Sequence, residues 1–510
     1  GKTTRGHLFH HPQAIRIEQP RDYEGRLLEG KVIADFDKRR EKIKQQVLSD
    51  AKSIGGHVNL EADEELLQEV TALVEWPVAI TCSFEEKFLQ VPAEALVSTM
   101  KENQKYFPIY DSHGSLTPNF ITISNLQSLD PQKVRQGNER VIRPRLADAA
   151  FFWEQGRKQP LENYNEKLKT VIFQNKLGTV YEKAVRVSRL AAETARRIDA
   201  DPAAAARAGL LSKADLMTEM VFEFPKLQGV MGRYYALQGN EPEAVAIAIE
   251  EHYLPRYASD RLPQTACGQS VALADKLDTL VGIFAAGQKP TGEKDPFALR
   301  RAALGVLKIM IDHRLPLDLH ELLNLAAKAM PDIVKADEVV DEVFDFIMAR
   351  LKAEYEGREE DRFTPQQVEA VMACKPARPL DFDLRIRAVK AFSGLPEAES
   401  LAAANKRIAN LLKKTDSPPD TKVSTSLLKE SAEKELYKKI QQVLPEVEPL
   451  CASGNYEAAL KRLAALRDPV DRFFDSVLVM AENEKLRANR LALLQLLNNL
   501  FTRIADISCL

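Results

Sequence analysis

Short apolar runs separated by turn residues characterise the first 150 residues of the chain. Residues 76–80, 106–110 and 119–124 alternate or cluster as strands do, whereas residues 41–49 and 61–73 have helical spacing. A period of two predicts strands, and apolar positions three and four apart predict helices. The pattern therefore predicts a mixed α/β domain over residues 1–150.

From residue 161 onward helical spacing dominates the chain. Asp201 followed by Pro202 is the pattern of a helix N-cap with proline at the first helical position, and it opens a predicted helix over residues 203–220. In residues 181–198 the apolar positions form one stripe: Ala184, Val187, Ala191, Ala195 and Ile198. We predict a helical bundle over residues 151–318.

The remaining residues also have helical patterns. Residues 319–385 are predicted as a helical connecting region and residues 386–510 as a C-terminal helical domain, with a turn or linker at residues 416–420. The last helix has a predicted buried stripe of Leu486, Leu493, Leu497, Leu500 and Ile504. The predicted fold class is therefore a multidomain, mainly α protein with one α/β domain at its start.

Composition agrees with a folded chain of several domains. The 510 residues are enough for about three or four domains, and 45% hydrophobic with 28% charged residues is the balance of a soluble globular protein. Lys and Arg (71) nearly cancel Asp and Glu (74). A nucleic-acid partner would therefore need local basic surfaces, because the net charge provides no overall positive field.

The cysteines and the start of the chain indicate the cellular setting. Five scattered cysteines form no CxxC pair, which favours a reduced cytoplasmic setting without a zinc ribbon. There is no run of about 18 apolar residues and no signal-peptide core. Because the sequence opens with Gly1 inside a strand-like pattern, we expect the native N-terminus to lie upstream.

Residues 180–284 resemble an HD domain, in which one His, a His-Asp pair and a later Asp bind a metal. The corresponding positions hold Lys183, Ala214 beside Asp215, and Asp275, with His252 nearby in sequence. An ammonium and a methyl group cannot be ligands, so too few donors remain for a catalytic metal. We predict a scaffold without a metal, in which the two aspartates cap helices or pair with lysines. A metal-dependent phosphohydrolase of the HD class is the alternative.

Other catalytic motifs are missing from the sequence. It contains no GxxxxGK[ST] phosphate loop and no GxSxG elbow, and we predict no catalytic residue. His7, His10 and His11 crowd near the start and are predicted to be solvated rather than metal ligands.

A basic stretch precedes the predicted bundle. Lys133, Arg135, Arg140, Arg143 and Arg145 surround a single acid and are followed by two phenylalanines and a tryptophan. Guanidinium groups bind phosphate in a bidentate manner, so the stretch is suited to follow an RNA backbone. A charged connection whose phenylalanines plug the bundle explains it equally well, and composition leaves both interpretations open.

The chain contains several long strings of low degeneracy, among them GNERVIRPRLADAAFFWEQGRK, LKTVIFQNKLGTVYEK, EEHYLPRYASDRLP and LADKLDTLVGIFAAGQKPTGEKDPFALRRAALGV. These strings resemble the bacterial glycine-tRNA ligase β-subunit family almost word for word. The resemblance covers essentially the whole chain, and its ending resembles the DALR-like anticodon-binding domain shared with arginine-tRNA ligases. A purely structural helical scaffold would not explain these matches.

The resemblance implies an assembly of two α and two β subunits. It implies that the α subunit carries the catalytic site with its ATP and Mg²⁺, and that this chain binds tRNA(Gly) with no cofactor of its own. We accordingly expect a cytoplasmic protein with neither a membrane nor DNA as partner.

Seven basic residues are the predicted tRNA contacts. Single-stranded bases and their flanking phosphates attract lysine and arginine, although a solvated helix face is the alternative at every position. Near the acceptor region we predict Arg140, Arg143 and Arg145, and near the anticodon Lys406, Arg407, Arg487 and Arg490.

Overall fold

The computed structural model describes residues 2–357, 362–413 and 422–510. The chain divides into two compact units, one made of residues 1–168 and 211–246 and the other of residues 169–210 and 247–510. The predicted linker at residues 416–420 lies outside the described residues. Among the residues described, no helix is both long and apolar enough to cross a membrane.

The first unit combines short strands with helices. Its strands are β1 (Thr3–Arg5), β2 (Ala14–Arg16), β3 (Val78–Ser83), β4 (Phe107–Tyr110) and β5 (Leu116–Ser124). Its helices in the first part of the chain are α1 (Tyr23–Glu29), α2 (Phe36–Ser53), α3 (Glu64–Leu73), α4 (Ala93–Ser98), α5 (Pro131–Gly156) and α6 (Leu161–Leu168).

The second unit begins with a two-stranded sheet and continues as helices. Its strands are β6 (Ile172–Gln174) and β7 (Gly178–Thr179), and they are followed by α7 (Val180–Arg197) and α8 (Pro202–Leu211). The chain then completes the first unit with α9 (Glu219–Glu223) and α10 (Val230–Gln238), and α11 (Glu243–Glu251) leads back into the second unit.

Most of the described residues in the rest of the second unit are helical. Its helices are α12 (Ala266–Ala285), α13 (Leu299–Asp312), α14 (Leu319–Lys328), α15 (Val340–Glu356), α16 (Pro365–Met372), α17 (Pro379–Ser393), α18 (Ala398–Leu412), α19 (Ser431–Ala452), α20 (Tyr456–Ala464), α21 (Arg467–Ser476) and α22 (Glu484–Thr502). The structure thus confirms a mainly α chain with a small α/β part at its start.

The core of the first unit lies between a sheet and two helices. Strands β3, β5 and β4 form an antiparallel sheet in that order, with Val78 opposite Ser124 and Phe107 opposite Ile121. Helix α2 begins where Asp35 accepts a hydrogen bond from the Lys38 amide, and its buried residues recur every fourth position. They pack with α3 and the inner face of the sheet.

In the second unit, helices pack through stripes of apolar residues. Helix α7 starts with a capping box between Thr179 and Glu182, and its apolar stripe packs against α12. The four stripe residues inside α7 are buried as predicted, whereas Ile198 lies just beyond its end and is half-buried. In α22 the predicted stripe is buried at Leu493, Leu497 and Leu500, whereas Leu486 is half-buried in the first turn and the buried Ile504 lies just beyond the end of the helix.

One predicted helix ends earlier than expected. Asp201 caps α8 by accepting a hydrogen bond from the Ala203 amide at 2.8 Å, but the helix stops at Leu211 and does not extend to residue 220. A 3-10 turn over Ala214–Met217 and the short α9 follow. Residue 214 is therefore in a turn and not in a continuous helix.

One predicted domain boundary coincides with the start of a helix, and two fall inside helices. Residue 318 is the N-cap of α14, whereas residues 150 and 385 lie inside α5 and α17. The division into four domains stays a prediction.

Candidate nucleic-acid interface

Helix α5 carries the basic stretch on one continuous 26-residue element. Asp130 caps it and Pro131 occupies its first turn. Ile142, Leu146, Ala149 and Trp153 fall three and four apart and are buried. The apolar stripe fixes the rotation of the helix, so the basic residues between the stripe positions face solvent.

The three predicted arginines of α5 are all exposed. Arg143 pairs with Glu85 at 2.8 Å, while Arg140 and Arg145 form no ion pair with any carboxylate of the described residues. Glu139, the acid within the stretch, accepts hydrogen bonds from the amide and hydroxyl of Ser83. The face therefore presents two guanidinium groups that have no acidic partner among the residues that the structure describes.

The two phenylalanines at the end of α5 do not form the predicted plug. Trp153 is the buried one, and its ring stacks on Tyr235 of α10 with centroids 5.2 Å apart. Phe152 is half-buried, and Phe151 is 55% exposed. The connection is thus anchored by the tryptophan, and Phe151 remains on the surface near the basic residues of the same helix.

The two arginines predicted on α22 have different environments. Arg487 is half-buried, and its nearest carboxylate, that of Glu484, is 3.8 Å away. Arg490 is buried, its guanidinium pairs with the fully buried Glu433 of α19, and it donates to the Leu478 carbonyl at 2.7 Å. Arg490 thus holds helices together inside its unit, so its side chain is not available on the surface as the sequence prediction required.

The two predicted residues on α18 are both exposed. The guanidinium of Arg407 lies over the ring of Phe474, 4.4 Å from its centroid, and Lys406 lines a cavity of about 530 Å³. An arginine stacked on an aromatic ring keeps its charge and its donors available to an anion. Arg407 is therefore the better placed of the two for an RNA contact.

At the HD-like positions of the second unit, Lys183 takes part in a buried network. Its ammonium lies 3.1 Å from Oδ1 of Asp275 and 3.0 Å from Oδ2 of Asp278, and it donates to Thr279 at 2.8 Å. Arg186 also donates to Asp278, at 2.7 Å. Burial lowers the pKa of Lys183, but attraction by the two aspartates outweighs it and raises the pKa above the ordinary value.

Asp215 lies in the first unit, where it caps a helix. Its Oδ2 accepts hydrogen bonds from the amides of Gly229 (2.6 Å) and Gly232 (3.1 Å) at the start of α10. Gly229 has φ 82°, a conformation that favours glycine. Burial raises the pKa of Asp215 to about 6, although the two amides oppose the shift. These hydrogen bonds agree with the prediction that Asp215 caps a helix.

The donor set at the HD-like positions does not fit a metal. The side chain of Asp275 is paired with the Lys183 ammonium, Ala214 has no donor atom, and the buried ring of His252 places Nδ1 2.5 Å from the Ile249 carbonyl oxygen. Across residues 2–357, 362–413 and 422–510, no group of three His, Cys, Asp or Glu side chains is arranged to hold a metal ion.

Two of the histidines near the start make contacts that were not predicted. His7 is buried, with Nε2 beside the Asn125 carbonyl oxygen, and its ring lies 4.7 Å from that of His10. His10 accepts a hydrogen bond from the Gln127 amide at 2.9 Å. The prediction of solvated side chains is therefore wrong for His7, because the contact with residue 125 is remote in sequence.

Comparison with known proteins identifies two family regions. The family described as "Glycyl-tRNA synthetase beta subunit" matches residues 1–373, and the one described as "DALR anticodon binding domain" matches residues 401–507. Over its full length the chain is 53% identical to the glycine–tRNA ligase beta subunit of Pseudomonas putida and 52% identical to that of Pseudomonas aeruginosa. It covers 74% of the length of each.

These matches define both the general class of the protein and its family. With a synthetase region followed by a helical anticodon-binding domain, the chain is a subunit of an aminoacyl-tRNA synthetase. More narrowly, it belongs to the glycyl-tRNA synthetase beta subunit family.

Proposed function

We propose that this chain binds tRNA(Gly) and presents it to the catalytic α subunit of glycine–tRNA ligase for ATP-dependent glycylation. The observation that carries the proposal is the exposed face of α5, on which Arg140 and Arg145 have no carboxylate partner in the described part of the chain. Leaving two guanidinium groups uncompensated favours binding of an RNA backbone, because phosphates provide both charge and bidentate acceptors.

The DALR region supplies the second surface in this proposal. Arg407 and Arg487 remain accessible there, and the ring of Phe474 supports Arg407. Such groups suit unstacked anticodon bases and their phosphates, which RNA-binding proteins recognise through stacking and charge. Lys406 is a weaker addition because it lines a cavity that also contains Glu399.

The proposed assembly contains two α and two β subunits and works in the cytoplasm. We place glycine, ATP and Mg²⁺ on the α subunit and no cofactor on this chain. The family membership and the lack of a fitting donor set at the HD-like positions support this division of labour. The pairing of Asp275 with Lys183 also argues against the HD phosphohydrolase alternative, which requires that carboxylate for a metal.

The test combines tRNA binding with aminoacylation. The chain alone is titrated with tRNA(Gly), and a separately purified α subunit is then assayed for glycylation with and without the chain. We expect tRNA binding but no glycylation by the chain alone, and increased glycylation when both subunits are present. Absence of tRNA binding together with Mn²⁺-dependent release of phosphate from nucleotides would instead support the phosphohydrolase.

A further inference from the structure

A groove of about 490 Å³ lies along α13 in the second unit. One wall is the loop after α11, with Pro255, Tyr257 and Ala258, and the other is the face of α13 from Ala298 to Lys308. The walls approach closely because position 305 is a glycine: a β-carbon there would lie 3.5 Å from Cδ of Pro255 and 2.8 Å from Cε of Lys276. The groove is therefore part of the packed fold.

The loop wall is fixed by hydrogen bonds from two lysines. The ammonium of Lys276 on α12 donates to the carbonyl oxygens of His252 at 3.2 Å and Leu254 at 2.7 Å. Lys308 on α13 donates to the Ala258 carbonyl at 2.5 Å, which joins the two walls. A groove held in this way can bind a ligand with little loss of conformational freedom.

The groove carries uncompensated positive charge. Arg300, Arg301 and Lys308 line it, and none of them forms an ion pair with a carboxylate in the part of the chain that the structure describes. Arg300 donates to the Gly292 carbonyl at 2.6 Å. The contacts with backbone carbonyls hold Arg300 and Lys308 in place without neutralising their charges.

Among the described residues that line the groove, the acid Asp295 already has hydrogen-bond partners. Asp295 accepts hydrogen bonds from the Leu299 amide at 2.8 Å and the Arg300 amide at 2.9 Å. These amides at the start of α13 are thus satisfied, and a ligand of the groove would be held by side chains and not by the helix terminus. Arg300 and Arg301 lie in the first turn of α13, where the helix dipole is positive. A bound anion would therefore reduce the electrostatic repulsion between these two arginines and the helix end.

An exposed aromatic ring completes the groove. Tyr257 is 59% exposed although it belongs to the lining. Aromatic rings stack on nucleic-acid bases with little sequence preference, and arginines beside them bind the adjoining phosphates. A ring and three cations in one groove match the two halves of a nucleotide.

We propose that this groove binds one nucleotide unit, with its base on Tyr257 and its phosphate between Arg300, Arg301 and Lys308. The nucleotide belongs either to a single-stranded RNA segment or to a free nucleotide, and both sources share this chemistry. The groove is a site beyond those of the proposed function. Only the RNA source of the nucleotide rests on that function.

The experiment titrates the full chain with a fluorescent single-stranded RNA tetranucleotide, with ATP in the absence of metal, and with inorganic phosphate. For the probe that binds, Tyr257→Ala is expected to weaken binding about tenfold, whereas Tyr257→Phe keeps it within about twofold because the ring remains. Arg301→Ala should also weaken binding and reduce the salt dependence by about one unit. Tyr23→Ala and Arg189→Ala, which change exposed residues outside the groove, are the matched controls.

The outcomes separate the two sources from each other and from the proposed function. Binding of the tetranucleotide without competition by ATP supports RNA, and equal competition by ATP supports a free nucleotide. Displacement by phosphate as effective as that by ATP, or no effect of the groove variants, overturns the proposal. Parallel titration with tRNA(Gly) keeps the proposed function distinct: tRNA binding without binding of either nucleotide probe refutes the groove alone. ATP binding in a chain that binds no tRNA refutes the proposed function alone.

Discussion

The ammonium of Lys183 lies 3.0 Å from Oδ2 of Asp278, and both side chains are buried. The same ammonium pairs with Asp275, the residue at the last ligand position of the HD pattern. A protein cation therefore binds a carboxylate that a metal would require. Because each buried charge has an opposite partner, α7 and α12 are linked through charge as well as through their apolar stripes.

Removing this cation should destabilise the second unit strongly. We expect Lys183→Met to lower the free energy of unfolding by about 3–5 kcal/mol, because the variant removes the buried ammonium that faces the carboxylates of both Asp275 and Asp278, while Arg186 still pairs with Asp278. Urea denaturation followed by far-ultraviolet circular dichroism measures the change. Lys461→Met is the matched control: its exposed pair with Glu457 should contribute less than about 1 kcal/mol. Equal effects of the two variants would contradict the assigned role of Lys183.

The basic face of α5 should dominate the salt dependence of tRNA binding. We expect the double variant Arg140→Ala, Arg145→Ala to weaken tRNA(Gly) binding and to reduce the slope of log affinity against log salt by about two units, one for each lost phosphate contact. Filter binding over a range of salt concentrations measures the slope. A control that removes two exposed, ion-paired lysines, Lys335→Ala with Lys461→Ala, should leave it unchanged. An unchanged slope in the α5 variant would show that this face does not contact tRNA.

The sequence predicted the elements better than the environments of single polar residues. The α7 stripe and the three strands of the sheet follow from local periodicity, so they could be found without a structure. The burial of Arg490 could not, because its partner Glu433 lies 57 residues away and on another helix. A helical pattern shows which positions share a face, but an arginine on that face is equally compatible with solvent or a buried acid.

The same limitation explains the groove on α13. Tyr257 and Arg301 are 44 positions apart, and no local motif links them. They line one groove only because α13 packs beside the loop after α11, and that packing depends on the small residue at position 305. Long-range packing of this kind is not visible in hydrophobic periodicity.

The two arginines of α22 should have different roles, Arg490 in stability and Arg487 in tRNA binding. We expect Arg490→Ala to lower the free energy of unfolding by about 3–5 kcal/mol, because it leaves Glu433 buried and unpaired. Arg487→Ala should change stability by less than about 0.5 kcal/mol but weaken tRNA(Gly) binding. Urea denaturation and filter binding of both variants provide the comparison.

A paired substitution tests whether Arg490 acts through Glu433. Replacing both residues with uncharged side chains, Arg490→Met with Glu433→Gln, should recover most of the stability lost in Arg490→Ala, because no buried charge remains. If Arg490→Ala is as stable as the unmodified chain yet binds tRNA weakly, the arginine contacts RNA directly and its assignment as an internal partner is wrong.

Asp215 should make the stability of the first unit depend on pH. Its pKa is raised from 3.8 to about 6 in the folded chain, so the folded state binds the proton more tightly than the unfolded state. Through this group, stability is therefore greatest below about pH 4, falls as the pH rises to about 6, and stays lower above that. A shift of about two units corresponds to ~3 kcal/mol.

The variant Asp215→Asn tests this dependence because it keeps an oxygen for the amides of Gly229 and Gly232 but cannot ionise. Relative to the unmodified chain, it should gain stability progressively between about pH 4 and pH 6 and keep a constant advantage at higher pH. Tryptophan fluorescence during urea denaturation reports on the correct unit, since both tryptophans, Trp76 and Trp153, belong to it. The control Gln136→Ala, on the exposed face of α5, should differ from the unmodified chain by an amount that does not depend on pH, because neither side chain ionises. If the Asp215 variant also runs parallel to the unmodified chain across this range, the buried carboxyl is not the group that titrates.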